Sequence, residues 1–242
     1  MTLAEILQAL FPDGHAVHQQ QGLLFGEARL GATTRIHILG LVEGVPLGIE
    51  EAAVLAARVL RIAAQSGDAP LLLLLDSGSQ RFAKRDEMLG LHEYLAHLAK
   101  SLMFADLSGH RTLALLYGHT GAGAFIATGL ATGMLVALPG ATPTVMDLPS
   151  MARITKLPLD LLQRKAQSTP VFAPGLENLA RTGAVHAVWS SDQALAEQLA
   201  ALLKTPAAQP DEDVRDRLGE ERRGRSKAAA VAARVMELAA RA

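Results

Sequence analysis

The chain of 242 residues contains no cysteine, and only 4% of its residues are aromatic. Without cysteine it can form no disulfide, thiolate nucleophile or cysteine-ligated zinc site. This composition suits a reducing compartment, so we expect a cytoplasmic protein. Half of the residues are apolar, and with so few aromatic rings the core must consist of small helices packed closely on aliphatic strands.

An excess of charge of either sign is also missing, since 23 basic and 24 acidic residues give a formal charge of −1. No global field would therefore attract nucleic acid or an acidic membrane. The chain has no apolar run of the roughly 18 residues that a membrane-spanning helix needs. Its N-terminal segment carries an early acidic residue and no basic region of the signal-peptide kind. We expect neither a nucleic-acid partner nor a membrane partner.

Length and hydrophobic patterning predict a single α/β domain over residues 1–205, with a central parallel sheet flanked by helices. The continuous apolar run at 71–75 is typical of a parallel strand buried on both faces. The predicted strands are 22–29, 33–42, 71–75, 112–117, 133–138 and 144–148, and the first two form a predicted hairpin. The predicted helices are 2–11, 49–64, 85–106, 122–131, 159–168 and 192–204. On helix 85–106, an apolar stripe at 3-4-3-4 spacing predicts a core-facing side that comprises Met88, Leu91, Leu95, Leu98 and Leu102.

Residues 206–242 differ in character from the predicted domain. Between 211 and 227, twelve of seventeen residues are charged, six of each sign, which indicates a solvated connector or an exposed helix. A helical stripe of apolar residues follows and predicts a terminal helix over 228–242 that packs on this domain or on a partner. The stripe comprises Ala228, Val231, Val235 and Leu238.

The segment 118–127 is the most informative part of the sequence. The apolar strand predicted at 112–117 runs into Gly118, Gly121 and Gly123, and a small-residue helix follows. Such a turn leaves backbone N–H groups that can bind an anion or a developing oxyanion. No Ser, Cys, Asp, Glu or Lys occurs in the segment. If the turn is catalytic, its backbone must therefore do the work; the alternative is close packing of a helix on a sheet.

A few polar residues could assist the turn. His119 is either a proton donor beside an oxyanion site or a residue that bonds a loop carbonyl. Ser77 and Gln80 lie in a predicted loop after strand 71–75, at the sheet edge that ligands favour, and either line a cleft or merely cap the strand. Arg81, Lys84 and Arg85 make a local positive cluster, interpreted mainly as a solvated helix start.

A metal site is not expected. His92 and His97 are five residues apart on a predicted helix. This spacing misses the i, i+4 separation that places two imidazoles on one helix face.

The chain resembles the gamma subunits of biotin-independent malonate decarboxylase, a family with the carboxyltransferase form of the crotonase/ClpP-like fold. The resemblance covers about residues 9–205, and the glycine turn, 148–158 and 168–175 together make it specific. The motifs that carry it are 11–15, 44–48, 75–81, 85–90, 118–125, 148–158 and 168–175.

The resemblance implies a reaction and its partners. The gamma subunit pairs with a beta subunit of related fold, and the complex also contains an alpha subunit that transfers the acyl carrier. The pair decarboxylates malonyl-S-acyl-carrier-protein to acetyl-S-acyl-carrier-protein and carbon dioxide. The carrier bears a prosthetic group derived from dephospho-coenzyme A. Neither biotin nor a metal is implied, and no cofactor on this chain.

The resemblance also implies site residues. Gly123 and Ala124 match the family's pair of backbone oxyanion donors, and His119 is a candidate catalytic group. Substrate contacts are expected from the neighbouring residues Gly118, Thr120, Gly121, Ser77 and Gln80. Two alternatives stay open: a biotin-dependent carboxyltransferase subunit, and a non-catalytic scaffold that completes the partner's site.

Overall fold

The computed structural model describes residues 1–170, 173–205 and 213–241. Its strands are β1 His15–Gln20, β2 Leu23–Leu30, β3 Thr34–Leu47, β4 Leu71–Gln80, β5 Thr112–Leu116, β6 His119–Gly121, β7 Met134–Ala137, β8 Thr142–Thr144 and β9 Ala187–Val188. Its α-helices are α1 Leu3–Leu10, α2 Ile49–Ala63, α3 Lys84–Met88, α4 Leu91–Leu107, α5 Ala122–Ala127, α6 Leu148–Thr155, α7 Leu159–Ser168, α8 Leu176–Arg181, α9 Leu195–Lys204, α10 Arg215–Glu221 and α11 Ala228–Ala239.

A mostly parallel sheet of seven strands forms the centre of the fold, in the order β1-β2-β3-β4-β5-β7-β9. The first three strands are antiparallel neighbours, and every pairing from β3 onward is parallel. The short strands β6 and β8 form a separate parallel pair. The predicted α/β architecture with a central sheet is confirmed, and so is the predicted hairpin of 22–29 and 33–42. Strand β1 is an additional antiparallel strand beside it.

Alternation along β4 explains how both faces of the sheet are buried. Leu71, Leu73 and Leu75 belong to the core shared with α2, α4 and α5. The side chains between them, Leu72 and Leu74, belong to the opposite core shared with α1 and α9. Successive strand residues point to opposite faces, so a run of leucines is what a strand covered by helices on both sides requires.

Several predicted elements are confirmed almost to the residue, and others are wrong for local reasons. The predicted helix 85–106 is two helices, because Gly90 adopts a left-handed conformation (φ +81°) between α3 and α4. Met88, predicted in the core stripe, is consequently 75% exposed. The predicted helix 122–131 ends at Ala127 and continues as a 3₁₀ turn at Gly129–Ala131.

Three strand assignments also change. The predicted strand 144–148 is wrong, because β8 ends at Thr144 and Asp147 caps α6 by accepting the Ser150 N–H. Residues 15–20, where no element is predicted from the sequence, form β1. The predicted strand 71–75 continues through the supposed polar loop to Gln80, because β3 offers it partners as far as Leu47.

The C-terminal segment, 206–242, is tied to the domain where the structure describes it; residues 206–212 and 242 lie outside the described part. The Arg222 guanidinium donates to the carbonyls of Ala180, Val185 and His186 at 2.7–2.8 Å. Gly224 lies so close to Arg181 that a Cβ would be 2.0 Å from that carbonyl oxygen. Of the two predicted forms, a solvated connector or an exposed helix, the described residues form a helix, α10, followed by a turn, and Arg222 and Gly224 hold them against the domain.

Helix α11 differs from the rest, since none of its described residues is buried. Among the helices in the described ranges, none combines the length and apolar character needed to cross a bilayer.

His186 makes stability depend on pH. Its Nδ1 accepts the Leu135 N–H at 3.2 Å, and burial, with help from Arg215, lowers the pKa of His186. The unfolded chain therefore binds an extra proton below about pH 6.5 while the folded chain resists it, so stability falls as pH drops through that value. Urea unfolding at pH 7.5 and 5.5 should show this loss. His186→Gln, which keeps an acceptor but cannot titrate, should reduce it; an identical loss in the variant would contradict the assignment.

Candidate active site

The glycine turn lies at the carboxyl edge of the parallel sheet, as the sequence predicts, but it contains a strand of its own. After β5 the chain forms β6, which leaves the main sheet to pair with β8, and α5 then begins at Ala122. Ala122 has a φ of +47°, which is uncommon for a residue with a side chain and marks local strain. The backbone thus turns sharply just before Gly123.

Two side chains of β4 hold the two ends of this turn. Asp76 Oδ1 accepts the His119 N–H at 3.0 Å, and Gln80 Oε1 accepts the Gly123 N–H at 2.8 Å. Donor and acceptor are 43 residues apart in both cases, so a four-residue step on β4 matches a four-residue step in the turn. The polar end of β4 therefore serves as a template for the turn.

Glycine is needed where these side chains approach the turn. A Cβ at Gly118 would lie 2.1 Å from Asp76 Oδ1. A Cβ at Gly123 would lie 3.1 Å from Gln80 Oε1 and 3.2 Å from Leu95 Cδ1. The first position excludes a side chain outright, and the second leaves room only if neighbouring atoms shift slightly.

The predicted oxyanion donors differ in their surroundings. The Gly123 N–H already has a protein acceptor in Gln80, so a substrate oxygen could reach it only if the Gln80 carboxamide moves away. Ala124 is fully buried. Of the two donors predicted from the sequence, Gly123 thus lies behind a side chain of β4, and Ala124 lies in the core.

The other predicted site residues fall into two groups. The His119 imidazole is exposed, and its Nδ1 lies 3.2 Å from Thr142 Oγ1. Thr120 and Ser77 are fully buried. Their hydroxyls donate to nearby backbone carbonyls, of His119 and Gly78 respectively. The structure therefore brings His119 and Gln80 to the turn but leaves the Thr120 and Ser77 hydroxyls turned inward.

The two arginines of the predicted positive cluster form ion pairs with neighbouring carboxylates. Arg81 is paired with Glu50, Glu51 and the buried Asp86, and Arg85 is paired with Glu50. The backbone N–H of Arg81 also donates to the Leu47 carbonyl at 2.9 Å. This cluster fixes the end of β4, and with it Gln80, against β3 and the start of α2.

Asp76 is a residue of the site that was not predicted from the sequence, although the family motif 75–81 contains it. The available signal was a carboxylate directly after an apolar strand together with a glycine directly after the neighbouring strand, Gly118.

Two cavities lie near the sheet, and Gly123 and Ala124 line neither. One of about 770 Å³ includes Pro70, Arg111 and Lys204 at the amino edge of the sheet. The other, of about 520 Å³, lies between α1 and the side chains of Glu43, Asp76 and Tyr117. Burial, together with Asp76 and Glu43, raises the pKa of the Tyr117 phenol.

The fold and the turn define a carboxyltransferase-like domain of the crotonase type. The solved transcarboxylase 12S shares this fold, with a TM-score of 0.65 and 16% identity over 86% of this chain and 41% of that one. A family model for the malonate decarboxylase gamma subunit matches residues 42–239. The chain belongs to this family, as the sequence motifs predicted.

Two kinds of relative support this placement. Chains of a Pseudomonas malonate decarboxylase are 27% identical in a hetero-tetramer with coenzyme A and 25% identical in the MdcD–MdcE hetero-dimer. The TM-score is 0.74 for both, over 96–98% of this chain and 96–97% of theirs. A Malonomonas rubra malonyl-S-ACP:biotin-protein carboxyltransferase is 30% identical over 119 residues, which span 48% of this chain and 41% of that protein. Residues 171–172 of the motif 168–175 lie outside the described part.

The contact between Gln80 and Gly123 can be tested on the full chain. Gln80→Met keeps the bulk but removes the acceptor, so the Gly123 amide should exchange with solvent at least tenfold faster. The loss of stability should be about 1 kcal/mol, as is typical for one hydrogen bond. Gln80→Glu is the matched control, because its carboxylate can still accept. Hydrogen exchange followed by NMR measures both; equal protection in Gln80→Met would show that another group holds this amide.

Proposed function

We propose that this chain is the gamma half of a two-subunit active site that decarboxylates a malonyl thioester carried on an acyl carrier protein. The carboxyl carbon leaves as carbon dioxide when its bond to the methylene carbon breaks. The bonding electron pair passes into the thioester as an enolate, and a proton added to the methylene carbon gives the acetyl thioester. The observation that carries the proposal is the Gly123 N–H. It lies in a glycine turn that matches the family motif, and its only acceptor among the described residues is the neutral Gln80 carboxamide.

The reaction needs what a backbone turn can supply. Negative charge moves from the carboxylate to the thioester oxygen during the step, and preorganised N–H donors stabilise such charge by about 3 kcal/mol each. Gly123 and Ala124 are the proposed donors, held by the surrounding turn from Gly118 to Gly121. The oxygen they bind belongs either to the enolate or to the departing carboxyl group, and the partner supplies the second hole.

Gln80 fits this role as a temporary acceptor and substrate contact. Its carboxamide is neutral, whereas the substrate oxygen carries a full or developing negative charge. Charge-assisted hydrogen bonds are roughly twice as strong as neutral ones. An anionic oxygen can therefore displace Gln80 from Gly123, while neutral ligands compete poorly. His119, exposed beside the turn, is the proposed proton donor or orienting group.

The partner proposed for this chain is a malonate decarboxylase beta subunit. The heterodimer of the Pseudomonas relative supports this. The acyl carrier protein and the alpha subunit complete the proposed complex, in the cytoplasm. We further propose that residues 1–205 form the carboxyltransferase-like domain and that 206–242 are an appended segment.

The carrier's prosthetic group is not assigned to residues of this chain. The guanidinium groups of Arg81 and Arg85, which could otherwise contact its phosphates, are paired with Glu50, Glu51 and Asp86. We propose that the thioester end of the group reaches the turn. No biotin or metal takes part in the proposed reaction of this chain.

A second candidate is a carboxyltransferase that moves the carboxyl group to a biotinyl protein. The similarity to the Malonomonas rubra protein favours it over part of the chain. The two reactions share the enolate and differ in the fate of the carboxyl group. Adding a biotinyl carrier protein separates them: the decarboxylase releases carbon dioxide at the same rate with or without it.

Reconstitution tests the proposed function. The purified chain alone should not turn over malonyl carrier protein, whereas the complex with the beta subunit should. Gly123→Pro removes the N–H and should lower kcat of the complex by about 100-fold or more. Gly123→Ala, which keeps the N–H, should lose far less. Normal assembly and unchanged kcat in Gly123→Pro would leave the turn with a packing role and favour the scaffold alternative.

Helix α11 offers a separate test of the proposed heterodimer. Val231, Val235 and Leu238 are at least half exposed and share one helix face. Because exposed apolar patches mark interaction sites, Val231→Glu with Val235→Glu should weaken binding to the beta subunit at least tenfold. The control, Ala229→Glu with Ala233→Glu on the opposite face, should leave affinity within twofold. Titration calorimetry measures both; equal affinities would exclude this face from the contact.

A further inference from the structure

The Asp76 carboxylate, in the polar half of β4, contacts two residues of the turn, His119 and Gly118. It follows directly after the five leucines of β4 and is only partly buried. Its Oδ1 accepts the His119 N–H at 3.0 Å. The Gly118 Cα faces the same carboxylate, so closely that a Cβ would be 2.1 Å from Oδ1 and 2.4 Å from Cγ. Asp76 and Gly118 are therefore fitted to each other.

The two hydrogen bonds from β4 to the turn, made by Asp76 and Gln80, would respond differently to substrate. Gln80 holds the Gly123 N–H only until substrate takes its place, if the proposed function is correct. Asp76 holds the His119 N–H on the other side of β6, where Gly118 encloses it. Once Gln80 has moved, the Asp76 carboxylate remains as a side-chain hydrogen bond from β4 to the turn.

We propose that Asp76 is a positioning residue for the reaction at this turn, an inference that rests on the proposed function. Its carboxylate fixes the backbone at His119, and the rigid β6–β8 pair transmits that position to Gly123. Asp76 acts through geometry and does not touch the substrate. Because misplacement of a reacting group by about 1 Å can cost 100-fold in rate, loss of this bond affects turnover more than binding.

The matched variants separate a hydrogen-bond acceptor from a charge. Asp76→Ala removes the acceptor and should lower kcat of the reconstituted complex at least tenfold, with KM within threefold of wild type. Asp76→Asn keeps an oxygen at the Oδ1 position and should restore kcat to within threefold of wild type. Equal losses in the two variants, or an unchanged kcat in Asp76→Ala, would overturn the proposal.

A double-mutant cycle tests whether Asp76 acts through the turn. Gly118→Ala places its Cβ against the carboxylate and should displace it, so its effect should resemble that of Asp76→Ala. The double variant should then be no worse than Gly118→Ala alone, since both changes break one contact. Losses that multiply would mean that the two residues act independently, against the proposal.

An NMR measurement on the full chain keeps this inference distinct from the proposed function. With ¹⁵N-histidine labelling, the His119 amide proton should move upfield in Asp76→Ala and stay near its wild-type position in Asp76→Asn. If this shift appears but the wild-type complex releases no carbon dioxide, the proposed function is wrong, whereas the hydrogen bond from the His119 N–H to Asp76 is confirmed. An unmoved His119 amide in Asp76→Ala would show that Asp76 does not hold the turn.

Discussion

The arrangement at the sheet edge depends on one requirement: the backbone N–H groups of the turn after β5 need acceptors. Strand β4 supplies them because it runs beyond its buried leucines and ends in polar residues. Asp76 and Gln80 are four residues apart on that end, and the amides they hold are four residues apart in the turn. The buried half of β4 fixes its place in the sheet, and the polar half uses that place to shape the site.

The strand–turn–helix unit, the antiparallel hairpin and the parallel sheet were predictable from the sequence, since each rests on local periodicity or on glycines. The buried strand 71–75 was found because all its residues are apolar. Its continuation to Gln80 was not, because strand pairing there uses backbone groups and a partner, β3, that no local pattern reveals. The same holds for the Gln80–Gly123 contact, which joins residues far apart in the chain. At Gly90 a local pattern was misleading instead. The apolar stripe predicted one helix over 85–106, but the left-handed conformation of this glycine separates α3 from α4.

Charge counting left two forms open for the C-terminal segment, a solvated connector or an exposed helix, and could not show how the segment is held. Balanced positive and negative residues normally indicate a solvated segment, because exposed ion pairs stabilise little. Arg222 instead places its planar group against three backbone carbonyls, a geometry that arginine suits through its fixed fork of donors. Gly224 allows the backbones to touch. The domain thereby carries α11 at a defined place on its surface while leaving that helix unburied.

The Gln80 carboxamide also affects which free anions can bind the Gly123 N–H. As part of the same chain, it is present beside Gly123 at a high effective concentration, on the order of millimolar or more for tethered groups. Dilute phosphate, chloride or free carboxylates would have to outcompete this built-in ligand for a single amide. A substrate delivered on a bound carrier protein is tethered as well, so its effective concentration at Gly123 is comparable with that of the Gln80 carboxamide. If the proposed function is correct, the Gln80 side chain therefore favours substrate delivered on a carrier over ions that bind from dilute solution.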